Sequence, residues 1–358
     1  MTQQAKPHGG NILAIARELG CAVHELLDMS SNLTPLPMIA GLRQTLTDRL
    51  DEIGFLPETD SETLRDLFAA QYGRSSDEVL VGNGTTDFIF AAPAVVRCQR
   101  AVITSPTYND YHLACDWATI PAFDFMLDRN EEFRLATERL AAELTGDELV
   151  FICNPNNPTG GLTPSAELHA LIATHPGTTF LVDESYLPFT RELSLLSLPP
   201  LPNLLILTSF SKIYGIPGLR LGFLTGDAAL LATLSARNKP WAVNRMAQVA
   251  GEYLVHHGAS HVEAVLRFIE AHRTGFVAGL AALPGVRVID GVCNFILCQL
   301  TGAMDADRLR QAMLARRIMI RNCANFTGLD HRYFRVSLKE TADNGRCLAA
   351  LDEILANG

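Results

Sequence analysis

Thr208-Ser209-Phe210-Ser211-Lys212-Ile213-Tyr214-Gly215-Ile216-Pro217-Gly218-Leu219-Arg220 lies between two short apolar runs, Leu204-Leu205-Ile206-Leu207 and Leu221-Gly222-Phe223-Leu224. Each run has the length and apolarity of a buried strand. A lysine directly after such a strand is partly desolvated, which lowers its pKa toward the neutral amine. A neutral amine can attack a carbonyl and form a Schiff base. Ser209, Ser211 and Arg220 are the residue types that a phosphate monoester needs around it. The same stretch also reads as a loop with a solvated lysine and a surface arginine, so the surrounding sequence has to decide.

Moving toward the N-terminus, the pattern of strand followed by polar turn repeats. Thr179-Phe180-Leu181-Val182 ends in Asp183-Glu184-Ser185-Tyr186. Glu148 to Cys153 leads into Asn154-Pro155-Asn156-Asn157-Pro158-Thr159-Gly160-Gly161, with a helix beginning near Thr163-Pro164-Ser165. Ala101-Val102-Ile103-Thr104 ends at Ser105-Pro106-Thr107-Tyr108, where an aromatic could cover a flat ligand or simply pack at the surface. Glu78-Val79-Leu80-Val81 runs into Gly82-Asn83-Gly84-Thr85-Thr86-Asp87 and a helix from Phe88 to Val96, an arrangement whose free backbone N–H groups suit an anion. Continuous apolar strands alternating with helices, with polar groups just past each strand, predict an α/β fold. Its mostly parallel sheet is flanked by helices and binds ligands at the strands' carboxyl ends.

Beyond about residue 245 the pattern changes. One long helix is expected from Tyr253 to Leu280, then strands at Val286–Ile289 and Asn294–Cys298 and a helix over Asp305–Arg316. Strands at Ile318–Arg321 and Tyr333–Leu338 and a final helix to Leu355 complete a smaller α+β C-terminal domain. At the other end, His8-Gly9-Gly10-Asn11, a short helix stopped by Gly20, and the proline-punctuated Leu26–Pro37 read as an arm packing across another part of the molecule or a partner subunit. The expected division is an N-terminal arm (1–40) joining the small domain, a large domain (41–245) and a small domain (246–358).

The bulk properties narrow the function. With 48% hydrophobic and 19% charged residues, the chain has the composition of an ordinary globular protein. A formal net charge of -10 without a Lys/Arg run argues against nucleic acid as a partner. The eight cysteines are scattered, without a C-x-x-C pair, which suggests reduced, cytoplasmic usage and no metal site. The first residues contain no apolar stretch of the signal-peptide kind, and no stretch approaches a membrane span.

The polar groups taken together resemble those of fold-type I pyridoxal-phosphate enzymes, the class I/II aminotransferase superfamily. The carriers are Asn156-Asn157-Pro158-Thr159-Gly160, Asp183-Glu184-Ser185-Tyr186, Ser209-Phe210-Ser211-Lys212 with Arg220, and Phe334-Arg335-Val336-Ser337. The resemblance implies pyridoxal 5′-phosphate as cofactor, held by Lys212 as a Schiff base and by Asp183 at the pyridine nitrogen. Asn157 and Tyr186 would bind the ring oxygen, and Tyr108 would stack on the ring. Gly84, Thr85, Thr86, Ser209, Ser211 and Arg220 would hold the phosphate. Lys212, Asp183 and Tyr186 are the expected catalytic residues.

The two ends of the chain resemble the branch that decarboxylates O-phospho-L-threonine in cobalamin biosynthesis, which lies next to the histidinol-phosphate aminotransferases. The carriers are His8-Gly9-Gly10-Asn11, Asp28-Met29-Ser30-Ser31-Asn32 and Ile320-Arg321-Asn322-Cys323-Ala324-Asn325-Phe326. That implies His8, Gly9, Asn32, Asn157, Arg321 and Arg335 around a small phosphorylated amino acid, and a homodimer sharing its active sites. Transamination of histidinol phosphate or another amino acid with 2-oxoglutarate remains an alternative, as does a non-catalytic cofactor-binding module. Two positions depart from the pattern. Leu56 precedes Pro57 where a phosphate-binding Tyr is common, and Thr34 stands where that branch usually has Asn.

Overall fold

The two apolar runs flanking Lys212 pair with one another in the computed structural model of the chain, which describes residues 10–236 and 239–356. His8 and Gly9 lie outside the described residues.

In chain order, β1 (Leu27–Asp28) belongs to the N-terminal arm. The next seven strands form one sheet: β2 (Val79–Asn83), β3 (Arg100–Ser105), β4 (Ala122–Met126), β5 (Glu148–Cys153), β6 (Thr179–Asp183), β7 (Leu204–Ser209) and β8 (Leu221–Thr225). Their spatial order is β2-β8-β7-β6-β5-β3-β4. The pairings from β4 through β3, β5 and β6 to β7 are parallel, whereas β8 is antiparallel to both its neighbours. β5 and β7 are buried along their whole length, as strands covered by helices on both faces must be.

Register carries this sheet into function. Cys153 stands opposite Asp183, and Asp183 opposite Leu207, so the carboxyl ends of β5, β6 and β7 lie level. The turns bearing Asn157, Tyr186 and Lys212 therefore open on one edge. The chain also switches direction across the sheet here: β4 is added outside β3, and β5 on β3's other side. The crevice at such a switch point is where open α/β sheets place their ligands.

A second sheet of β9 (Val286–Val288), β10 (Phe295–Leu300), β12 (Arg321–Asn322) and β13 (Tyr333–Ser337) is antiparallel throughout, in the order β12-β13-β10-β9. Between β10 and β12 in the chain comes β11 (Ile318–Met319), which pairs in parallel with β1. The arm then crosses both sheets. Met29 O accepts from Ser337 N (2.8 Å), Leu33 O accepts from Asn294 Nδ2 (2.8 Å), and Thr34 N donates to Lys212 O (3.0 Å).

Three elements differ from the sequence-based reading, the first being the single strand expected over Ile318–Arg321, which is split into β11 and β12 on different sheets. β4 was not foreseen: it lies at the sheet's edge with four of its five residues exposed, so it offers no buried apolar run. The long helix expected after residue 245 is two, Arg245–His257 and Ala259–Ala281, which meet at Gly258. A Cβ there would lie 2.5 Å from Tyr214 Oη and 2.6 Å from Leu254 O, so the break lets the helix pair pass close against the turn after Lys212. All eight cysteines are free. No helix among the described residues is long and apolar enough to cross a membrane.

Gly222 on β8 stands opposite Gly82 on β2, and a Cβ there would sit 2.6 Å from Thr85 N. The turn through Gly84 and Thr85 is thus seated directly on β8. Gly222→Ala is expected to lower the unfolding free energy by about 1–3 kcal/mol through overpacking. Urea denaturation reads that change, and an unaltered midpoint would count against this close packing.

Candidate active site

Lys212 sits in the short helix Phe210–Ile213 that follows β7. Burial pulls its amine down to about 8, Arg220 and Arg335 push the same way, and Asp183 opposes them. Lys212 and Asp183 line one inner cavity of about 110 Å³ with the hydroxyls of Thr85, Thr86, Ser209 and Ser211 and the guanidinium of Arg220. Tyr108, Asn157 and Tyr186 line it too.

The Arg220 side of this cavity is built from unusual backbone. Arg220 has φ +61°, a left-handed conformation that a side chain rarely adopts, and this aims it back at the turn after β2. Its Nη2 donates to Thr86 Oγ1 (3.3 Å) and its Nη1 to Pro217 O (3.4 Å). Gly84 has φ +78°, and a Cβ there would strike the Arg220 guanidinium. Thr86 begins the helix Thr86–Val95, so free backbone N–H groups and a guanidinium converge beside four hydroxyls.

Asp183, the last residue of β6, is only 4% exposed. Its carboxylate accepts from Ser185 N (2.9 Å) and from the Tyr111 hydroxyl (2.9 Å). Burial raises its pKa, against those hydrogen bonds and the charge of Lys212. No arginine or lysine forms an ion pair with it among the described residues. Tyr111 was not singled out in the sequence. It lies on the helix Asp110–Ala118, fully buried, with its ring stacked on Phe151 at 5.1 Å. Its only sequence signal is an apolar helix position three residues beyond Tyr108, which is also the ordinary signal of a core residue. The Tyr108 hydroxyl donates to Asp110 Oδ2 (2.7 Å), which anchors that ring at the cavity wall.

A middle cavity of about 340 Å³ shares Lys212, Asn157, Tyr186 and Tyr108 with the inner one and adds Asn32, Arg321 and Arg335. Arg335 is 5% exposed. Its Nη2 donates to Ser30 O (3.0 Å), its Nη1 donates to Asn157 Oδ1, and its guanidinium lies over the Phe295 ring at 5.2 Å. Asn32 Nδ2 donates to the Tyr186 hydroxyl (3.4 Å), and burial pushes that phenol's pKa up. Arg321 lies over Phe326 at 5.0 Å and donates to Asn325 Oδ1 (2.7 Å).

Arg321 and Arg335 are directly opposed partners in the β12–β13 pair. Like charges facing each other across an antiparallel pair destabilise it. Neither forms an ion pair with a carboxylate among the described residues. Asp28, at the same wall, already accepts from Ser30 N (2.8 Å), Ser30 Oγ (2.6 Å) and Ser31 Oγ (2.7 Å). Burial lowers the Arg321 pKa to about 10, and Arg335 and Arg310 add to that shift. Such a pair suits a ligand with more than one negative charge. The structure thus brings together every predicted site residue among the described ones. His8 and Gly9 lie outside them, although their neighbour Gly10 lines the middle cavity. Leu56 lines neither cavity and is 76% exposed.

The inner cavity fits pyridoxal 5′-phosphate by its donor set. A buried carboxylate without a cationic hydrogen-bond partner can keep a pyridine nitrogen protonated, and a depressed lysine can engage the aldehyde. Thr85, Thr86, Ser209, Ser211 and Arg220 can hold the phosphate. Asn157 and Tyr186 line the same cavity and could hydrogen-bond a ring oxygen.

The family model described as Aminotransferase class I and II matches residues 24–351. A threonine-phosphate decarboxylase of Salmonella typhimurium is 34% identical over 355 residues, 97% of this chain and 96% of that protein. A histidinol-phosphate aminotransferase of Desulfitobacterium hafniense is 29% identical, covering 93% of each chain. The crystal structure of L-threonine-O-3-phosphate decarboxylase from Porphyromonas gingivalis superposes with a TM-score of 0.84 at 29% identity, covering 92% of this chain and all of that one.

The Lys212 shift has a signed consequence for the cofactor-free protein. The folded amine titrates near 8 and the unfolded one near 10.5. Between those values the unfolded chain holds more protons, so stability rises with pH. The unfolding free energy of the wild type relative to Lys212→Met is expected to be flat below pH 8 and to climb toward pH 10.5. A difference that stays level across this range in urea titrations would refute the shift.

Proposed function

Because the chain belongs to the aminotransferase class I and II family, we propose that it decarboxylates O-phospho-L-threonine to (R)-1-aminopropan-2-ol phosphate and CO₂, a step of cobalamin biosynthesis. The observation that carries this reading is the opposed pair Arg321 and Arg335 in a cavity that also holds Lys212. A substrate with a phosphate and a carboxylate brings a charge for each guanidinium.

Bound pyridoxal phosphate supplies an electron-accepting ring that makes loss of CO₂ from an amino acid chemically accessible. The protein's own groups do the rest. Asp183, held by Tyr111 and Ser185, is the counter-charge for the ring nitrogen. Arg220 with the four hydroxyls fixes the phosphate end. Arg335, immobilised by Ser30, Asn157 and Phe295, and Arg321, on the facing strand, orient the two anionic ends of the substrate. That orientation decides which bond at Cα breaks. Lys212, whose amine burial lowers to about 8, returns a proton to Cα once CO₂ has left.

The purified enzyme loaded with pyridoxal phosphate should release CO₂ from O-phospho-L-threonine without 2-oxoglutarate. Arg335→Gln should lower kcat/KM by roughly a hundredfold, since truncating a buried hydrogen-bonded charge costs about 2–5 kcal/mol. Glutamate formation from histidinol phosphate and 2-oxoglutarate, with no CO₂ from phosphothreonine, would overturn the reading in favour of transamination.

The reading includes a homodimer. Ile53, Phe55 and Leu56 are exposed at 63%, 67% and 76%, and the half-exposed Trp241 is tied by its backbone N–H to Thr59 O (3.1 Å), three residues beyond Leu56. A second copy would cover this apolar face. Sedimentation should give a dimer that Leu56→Glu shifts toward monomer, and a monomeric wild type would refute it.

A further inference from the structure

Beside the middle cavity lies an outer one of about 400 Å³. The two share Gly10, Ser30 and Arg321, so Arg321 stands at their boundary. The outer cavity is bounded on one side by Arg310, from the helix Ala306–Ala315. Arg310 is half-buried and makes no hydrogen bond or ion pair among the described residues. Asp307 lies one helical turn before it and lines the same cavity, yet its carboxylate accepts from Asn322 Nδ2 at 2.7 Å. Arg335 and Arg321 therefore line the middle cavity and Arg321 and Arg310 the outer one, none of the three paired with a carboxylate among the described residues.

These charges act on each other: both Arg335 and Arg310 depress Arg321. A partly desolvated arginine without an acid, beside a second arginine, is unfavourable unless an anion comes to it. The protein as a whole carries a formal charge of -10, which repels anionic ligands from most of its surface. A substrate with two anionic ends needs Arg335 and Arg321 only. Arg310 is the surplus cation, and it shares the outer cavity with Arg321.

We propose that Arg310 and Arg321 form an outer anion subsite that captures the phosphate monoester of the incoming substrate before it settles between Arg321 and Arg335. The subsite deepens the phosphothreonine reading and rests on it for the identity of the monoester. It recognises a tetrahedral dianion, so inorganic phosphate is a fair probe. The cavity walls Asn322 and Asn325 add polar groups beside the two guanidiniums. Arg310 acts on capture and not on the bond broken at Cα, so its removal falls on kcat/KM and not on kcat.

The test is calorimetric titration of the cofactor-loaded enzyme with inorganic phosphate. Arg310→Gln is expected to weaken phosphate binding about tenfold, the usual size for one charge-assisted contact. Arg310→Lys should recover part of the loss, and Arg308→Gln, on the exposed side of the same helix, should leave the affinity unchanged. In turnover, Arg310→Gln should lower kcat/KM and flatten its dependence on ionic strength. Equal phosphate affinity in wild type and Arg310→Gln overturns the proposal, as does a loss confined to kcat. The titration needs no turnover, so a failed decarboxylation assay would count against the phosphothreonine reading alone.

Discussion

The carboxylate of Asp183 is buried among neutral donors, and most of the active-site architecture follows from keeping it there. A bare carboxylate in this position is unfavourable, and the raised pKa expresses that. Two neutral donors, the Ser185 amide and the Tyr111 hydroxyl, stabilise the charge only in part. What remains is a strong preference for a positive group on the cavity side. The level register of β5, β6 and β7 places Lys212 in that same cavity, where burial lowers its pKa as burial raises that of Asp183. Burial pushes each group toward its own neutral form, which favours a cofactor bearing both a protonatable nitrogen and a carbonyl.

A second constraint comes from the smaller sheet. β12 and β13 hold Arg321 opposite Arg335 even though the pairing is repulsive. The arm makes this arrangement rigid. Ser30 O fixes Arg335, Ser31 O accepts from Ser337 Oγ (2.6 Å) on the same strand, and Thr34 ties the arm to the backbone of Lys212. One continuous segment thus references both the anion clamp and the lysine turn. A shift of either would be transmitted to the other through a chain of short backbone contacts.

The sequence made the strand ends legible because buried parallel strands are continuous apolar runs, and whatever follows them must be polar turn. Lys212, Asp183, Asn157 and the Gly84 turn could be found that way. Elements whose meaning depends on tertiary direction could not. Tyr111 looks like any aromatic on a buried helix face until its hydroxyl is seen to reach Asp183. β4 lies at an edge and lacks the burial that marks its neighbours. The break at Gly258 falls in an otherwise helical pattern, because what forbids a side chain there is Tyr214, far away in the chain. Arg310 reads as one more polar residue of an amphipathic helix, and only the outer cavity sets it apart.

The inner cavity alone does not choose a reaction. The same lysine, carboxylate and phosphate cup can serve proton transfer at Cα or loss of the carboxylate, since both leave electrons to the same ring. Selection requires the substrate to be held at two points, so that one bond is presented and the others are not. Asn157 joins the two functions physically: it lines the inner cavity and its Oδ1 accepts from Arg335. The group that would touch the cofactor's ring oxygen therefore also sets the orientation of an anion-binding guanidinium. On the proposed reading, reaction choice would lie in the link from Asn157 through Arg335 to the arm, and the residues that would bind the cofactor can be shared with relatives that carry out other chemistry.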